Sequence, residues 1–304
     1  MLTEAARGVF TIAVTPFRPD GVLDLDSVDS MTAFYLEKGA TGLTVLGMMG
    51  EAGKLAQNEA IAVVRRVTAR AGVPVVAGVS APGFAQMQAL AVQAMDAGAA
   101  GVMVAPPGNL KTDDQIVGHY HDVAGTLGEI PFVLQDFPLV TGVTLAPKVI
   151  LRIVEDCPTC VMLKHEDWPG LDKISALRAA SEAGSRRISI MTGNGGQFLP
   201  EEMLRGADGA MTGFAYPEMM AEIVRLHGQG DIERARDIFD AYLPLIRYES
   251  QPGIGLAIRK YALAKRGAIA HPDLRKPGPA LNAHTIPEIE ALIRRQEARL
   301  AALG

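Results

Sequence analysis

Eight short apolar runs organise the chain: Val9–Val14, Leu43–Leu46, Val75–Val79, Val102–Ala105, Phe132–Gln135, Cys160–Leu163, Ile188–Met191 and Ala210–Gly213. Between them, apolar residues recur at helical spacing. Val28, Met31 and Tyr35 mark the first helical face, with Asp26 or Ser27 as its cap. Ile61, Val64 and Thr68 mark the second, closed by Gly72, and Met87, Leu90 and Met95 the third. Further helices are expected at Asp113–Thr126, Pro147–Val154, Leu171–Ala180 and Gln197–Leu204. Strands that alternate with helices in this rhythm lie parallel, and eight such units point to a closed α/β architecture, the (β/α)8 TIM barrel. An internal echo agrees. Gly39-Ala40-Thr41-Gly42, Gly98-Ala99-Ala100-Gly101 and Gly206-Ala207-Asp208-Gly209 each stand between a helix and a strand. The first glycine of each suits a helix end that needs positive φ, and the small residues let helix meet strand. A doubly wound open sheet is the alternative. It calls for a glycine-rich phosphate loop after the first strand, and none follows Val14.

From Asp231 the pattern changes to helix upon helix. Ala235, Ile238, Phe239 and Tyr242 share one face, Ile254–Ala264 follows, and a loop at Pro272–Pro279 leads to a last helix with Thr285 and Glu288 as a capping box. The expected division is a barrel over residues 1–225 and a three-helix extension over residues 226–304. With 304 residues, 48% of them hydrophobic, the chain can bury one large core. A net charge of −5 without a long basic run argues against nucleic acid or an acidic membrane surface as partner. Met1 to Phe10 lacks a signal-peptide core and no run reaches about 18 apolar residues, so a cytoplasmic protein is expected. Cys157 and Cys160 lack the second pair or the helix start that zinc or redox chemistry needs, which makes them structural.

In such a barrel, chemistry sits at the C-terminal ends of the strands. The sixth run ends abruptly in Lys164-His165-Glu166-Asp167. A lysine at the mouth of an apolar core is costly to place. It either snorkels to water or is held there as a nucleophilic amine that condenses with ketones. Strand alternation puts Met162, Lys164 and Glu166 on one side and turns His165 away. The second run ends in Gly47-Met48-Met49-Gly50-Glu51, whose glycines can turn backbone N–H groups toward a small carboxylate or simply make a tight turn. Glu51 either binds substrate or faces the following helix. Gln135-Asp136-Phe137-Pro138, Gly193-Asn194-Gly195-Gly196 and Met211-Thr212-Gly213 end the fifth, seventh and eighth runs. His119, His121 and Trp168 read as surface, interface or packing residues, and the thirteen methionines as core filler.

Thr15-Pro16-Phe17, G-x-x-G-E at Gly47–Glu51, D-x-P at Asp136–Pro138 and V-x-L-K-H-E at Val161–Glu166 together resemble the dihydrodipicolinate synthase/N-acetylneuraminate lyase superfamily, over almost the whole chain. The resemblance implies a (β/α)8 barrel with three C-terminal helices, a lysine that forms a Schiff base with pyruvate or another 2-oxo acid, and a homo-oligomer, tetramer or dimer. Lys164 matches that lysine. The departures are specific. Met48 and Met49 stand where the family has two threonines, and Gln135 where it has a proton-relaying tyrosine. Pro107 or Gly108 replaces the second tyrosine, and Val140 replaces the arginine of the lysine-pathway synthase. The Q-D-x-P turn and the G-A-M-T-G strand resemble the sugar-acid branch, with L-2-keto-3-deoxyarabonate dehydratase the nearest likeness.

The implied function is a lyase that dehydrates or cleaves a 2-keto-3-deoxy acid. Lys164, Gln135 and Glu166 are the catalytic candidates; Gly47, Met48, Met49, Gly50, Gly193, Asn194, Met211 and Thr212 are the substrate-binding ones. Glu166, Tyr216, Glu51 or a water supplies the acid–base group. The protein's own amine is the electron sink, so neither metal nor organic cofactor is expected. Two alternatives stand beside this reading: aldol condensation of pyruvate with an aldehyde, and a non-catalytic 2-oxo-acid sensor or scaffold.

Overall fold

The computed structural model describes residues 1–168 and 170–304. The barrel runs β1 (Gly8–Ile12), α1 (Leu25–Glu37), β2 (Gly42–Val45), α2 (Gln57–Ala71), β3 (Val75–Gly78), α3 (Phe84–Asp96), β4 (Gly101–Val104) and α4 (Asp113–Leu127). It continues with β5 (Phe132–Asp136), α5 (Pro138–Thr141), α6 (Pro147–Asp156), β6 (Cys160–His165), α7 (Leu171–Glu182), β7 (Ser189–Thr192), α8 (Leu199–Leu204), β8 (Gly209–Ala210) and α9 (Pro217–Gln229). The tail holds α10 (Ile232–Glu249), α11 (Gly255–Lys265) and α12 (Thr285–Leu303). Every strand pairs parallel to its sequence neighbour, and β8 pairs with β1, so the barrel closes and the open-sheet alternative falls.

The small residues before the strands act as expected. Gly39, Gly98 and Gly206 all have φ of 90–95°, a conformation that a side chain would strain. Two caps differ from the sequence reading. Helix α1 is capped by Asp24, whose carboxylate accepts the Ser27 N–H (3.2 Å) and hydroxyl (2.7 Å). At α12 the acceptor is Asn282 Oδ1, which takes the N–H groups of His284 and Thr285, while Glu288 turns to the Tyr248 hydroxyl instead of closing a capping box. Helices α5 and α9 were not expected. Residue 225, the expected end of the barrel, lies inside helix α9, which is capped by Gly230 at φ 78°. Tail and barrel share one core: Ile238, Tyr242, Ile258, Leu263 and Ile289 pack with Val9, Val28 and Phe214. No described helix is long and apolar enough to cross a membrane.

Candidate active site

Paired residues climb by one residue per strand around a barrel with a stagger of roughly eight, so the strand registers sort the inward side chains into layers. Phe10, Val76, Val133 and Met191 form one layer, and Thr44, Met103, Lys164 and Met211 the next toward the mouth. Above them come Ile12, Gly78, Gln135 and Gly193. The lower layers are a dry floor of methionine, valine and phenylalanine. The layer above Lys164 has two glycines, and the space their side chains would take holds the Leu46 backbone beside Gly78 and the Glu166 side chain beside Gly193.

Lys164 lies inside the cylinder with 5% of its surface exposed, and no part of it snorkels to water. Its Nζ sits 2.8 Å from Glu166 Oε2. The same oxygen accepts Gln135 Nε2 at 2.7 Å. The three catalytic candidates therefore meet at one carboxylate oxygen. The amine has a carboxylate oxygen within hydrogen-bond reach. Two neighbours hold that acceptor. Asn194, at φ 52°, donates its side-chain N–H to the Glu166 carbonyl (3.1 Å). Gly193 must lack a side chain, because a Cβ there would lie 2.2 Å from Glu166 Cγ.

His165 turns outward, as alternation requires. Its Nε2 lies 3.1 Å from the Gly170 carbonyl, and its Nδ1 faces Asp136 Oδ2 at 3.6 Å. Asp136 is fully buried and pairs with Lys173 (2.6 Å), which also reaches Asp167 (2.7 Å). This charged group lies behind β5 and β6, on the side away from the lumen, and fixes the two strands that carry Gln135 and Lys164.

The loop after β2 is a short 3-10 turn over Met48–Gly50. The N–H groups of Gly50 and Glu51 donate to the carbonyls of Gly47 and Met48, both at 3.0 Å, so Gly50 contributes structure. Met48 and Met49 open the turn, where the turn itself offers N–H groups no acceptor. The Met48 side chain points to solvent, 44% exposed, while Met49 packs on the lumen floor. Gly47 keeps the mouth open: a Cβ there would fill space 3.7 Å from Ile12 and 3.8 Å from Met103. Met211 belongs to the floor beside Lys164. Thr212 does not line the lumen; its hydroxyl accepts the Gly195 N–H at 2.8 Å and braces the turn after β7.

Two acid–base candidates drop out. Tyr216 lies under the Arg266 guanidinium and against Tyr242, and burial raises its hydroxyl to about 12. Glu51 faces the tail, bonded to Lys260 (2.6 Å) and Lys54 (2.7 Å). Glu166 remains. Cys157 and Cys160 are free and buried, with both thiols raised by desolvation, Cys160 to about 12, as structural cysteines are. His121 pairs with Asp156 at the surface, and His119 stacks on Phe84. Trp168 is half-exposed and meets Phe198 edge-on. A surface cleft of about 470 Å³, lined by Lys38, Glu222, Arg225 and Tyr242, opens on the helical flank away from the mouth. Sequence reasoning missed Thr15, whose hydroxyl donates to the Gly50 carbonyl (2.5 Å) and pins the β2 loop. The Thr-Pro-Phe motif was its signal.

The profile of the dihydrodipicolinate synthetase family matches residues 5–296. The 4-hydroxy-tetrahydrodipicolinate synthase of Thiobacillus denitrificans is 30% identical over 97% of this chain and 98% of its own. The L-2-keto-3-deoxyarabonate dehydratase of Azospirillum brasilense is 29% identical over 96% and 95%. A crystal structure of dihydrodipicolinate synthase from Rhodopseudomonas palustris superposes with a TM-score of 0.95 at 52% identity, covering 97% of this chain and 99% of that one. With barrel, tail and motifs in agreement, the chain belongs to the dihydrodipicolinate synthetase family and is a lyase.

Proposed function

We propose that the chain is a Schiff-base lyase that dehydrates or cleaves a 2-keto-3-deoxy acid. The observation that carries this reading is the buried Lys164 Nζ at 2.8 Å from Glu166, with Gln135 on the same oxygen. Glu166 takes a proton from the Lys164 ammonium, and the neutral amine adds to the C2 ketone. Glu166 returns the proton to the carbinolamine hydroxyl, which leaves as water and yields the iminium. The carboxylate then removes a C3 proton, and the electron pair passes into the iminium to give an enamine. In dehydration the enamine expels the C4 hydroxyl, protonated by Glu166. In cleavage no C3 proton is removed: the carboxylate takes the C4 hydroxyl proton of the iminium, the C3–C4 electron pair passes into the iminium, and an aldehyde leaves the enamine of pyruvate, which Glu166 protonates at C3. Water then frees the lysine. The Met48 and Met49 N–H groups are assigned to the C1 carboxylate.

Two departures favour this over condensation of pyruvate with an aldehyde. Gln135 has no titrating proton near neutral pH. Val140, where the synthase's arginine is expected, is 58% exposed and apolar. A pure scaffold gains nothing from a buried lysine–glutamate–glutamine cluster, since buried ion pairs seldom stabilise. A cytoplasmic homo-oligomer goes with the reading.

Incubation with 2-keto-3-deoxy acids tests it. A dehydrated 2-oxo acid, or pyruvate with an aldehyde, appears with the wild type and is lost in Lys164→Ala. Turnover only of pyruvate with an added aldehyde would contradict it.

A further inference from the structure

Three non-glycine residues have positive φ among the described residues: Leu46 (58°), Glu51 (53°) and Asn194 (52°). All three lie at the mouth of the barrel, and two of them bracket the β2 loop. A left-handed conformation at such residues is strained and persists only where the surroundings enforce it. Asn194 is enforced by Glu166. The enforcement at Glu51 comes from far along the chain. Its Oε1 accepts Lys260 Nζ at 2.6 Å; its Oε2 accepts Lys54 Nζ at 2.7 Å and the Arg275 N–H at 3.1 Å. Lys260 is wholly buried on α11, donates also to the Asp273 carbonyl (2.9 Å), and lies over the Phe17 ring. The Arg275 guanidinium covers the same ring and grips the Lys54 carbonyl and Glu59. A lysine of the tail is thus sunk beneath the loop that opens onto Lys164, yet it touches nothing in the lumen.

We infer that Lys260 is a positioning residue for the Schiff-base site: through Glu51 it holds the β2 loop in its strained form, and so sets how tightly the carboxylate end of a 2-oxo acid is bound. The inference rests on the function proposed above. A packing role alone predicts a general loss of fold or of amine reactivity. A positioning role predicts a loss confined to ligands that carry the carboxylate.

The test uses the full-length chain with borohydride trapping. Pyruvate is one probe, and hydroxyacetone, a ketone of similar size without a carboxylate, is the other. In Lys260→Met, the pyruvate concentration for half-maximal trapping rises roughly tenfold to a hundredfold, the range such strain allows, while the trapping rate at saturation stays within about threefold. Trapping of hydroxyacetone is unchanged. Glu51→Gln moves pyruvate the same way, and the double variant is no worse than the poorer single one, because both act through one contact. If Lys260→Met does not fold, Lys54→Met removes another partner of Glu51 at a three-quarters-buried side chain and gives a smaller shift in the same direction. An unchanged half-maximal concentration overturns the inference, as does an equal loss for both ketones. If the wild type traps neither ketone, the Schiff-base reading itself fails and the inference falls with it; trapping by the wild type with equal losses in the variant overturns the inference alone.

Discussion

At Glu166 one carboxylate oxygen serves two donors, and this makes the residue the pivot of the proton transfers. Glu166→Gln keeps the shape and a hydrogen-bonding group but removes the base. Capture of pyruvate by Lys164 then slows, since the amine has lost its base, and exchange of the pyruvate methyl protons with deuterated water falls by about 10²–10⁴, measured by proton NMR. Exchange at the wild-type rate would place the base elsewhere. Gly193 is the second test at this scale. Its φ of −117° admits alanine, so backbone strain is not at issue; the Cβ would displace Glu166. Gly193→Ala is expected to remain folded by circular dichroism and to lose roughly 10²-fold or more in turnover, the usual effect of an ångström-scale misplacement. Near-normal turnover would show that Glu166 need not stand where it does. Lys164 and Glu166 were legible in the sequence because a period of two puts them on one side of their strand, and Gln135 because it ends the preceding one. The partners of Asn194 and Thr212, expected to contact substrate, are backbone groups of Glu166 and Gly195 on other loops, which no spacing rule reveals.

Among the elements, α8 carries the clearest pH-dependent cost. Glu202 is buried beside β7, and desolvation pushes its carboxyl up to about 8 despite a hydrogen bond with Thr192. Its unfolded value is about 4.3. The folded chain therefore holds a proton that the unfolded chain has released over that window. Stability from this group is full below about pH 4 and declines as pH rises toward 8. In Glu202→Gln that decline disappears. Urea unfolding at pH 5.5 and pH 8 checks it: the wild type loses up to a few kcal/mol more than the variant between the two, and equal changes contradict the assignment. The elements themselves were read well where apolar periodicity was long, as in α1, α2 and α4. Helix α9 was passed over although Met219, Ile223 and Leu226 stand at helical spacing, because no polar cap announces it; Pro217 at its start does that work. Strand β8 spans only two residues where four were expected, although the Met211 N–H still donates to the Thr192 carbonyl and the Ile12 N–H to the Thr212 carbonyl.

For the molecule as a whole, barrel and tail form one core, and the tail reaches the mouth through Lys260. That link joins residues 209 positions apart, which is why the sequence suggested a helical extension but gave no sign of its connection to the site. The account's central claim is that this barrel exists to hold one amine ready for a keto carbon. Intact-protein and peptide mass spectrometry after incubation with pyruvate and borohydride tests it most directly. The account predicts one reduced pyruvyl adduct per chain, on the peptide carrying Lys164, and none in Lys164→Ala. An adduct elsewhere, or an unmodified chain at saturating pyruvate, would contradict it.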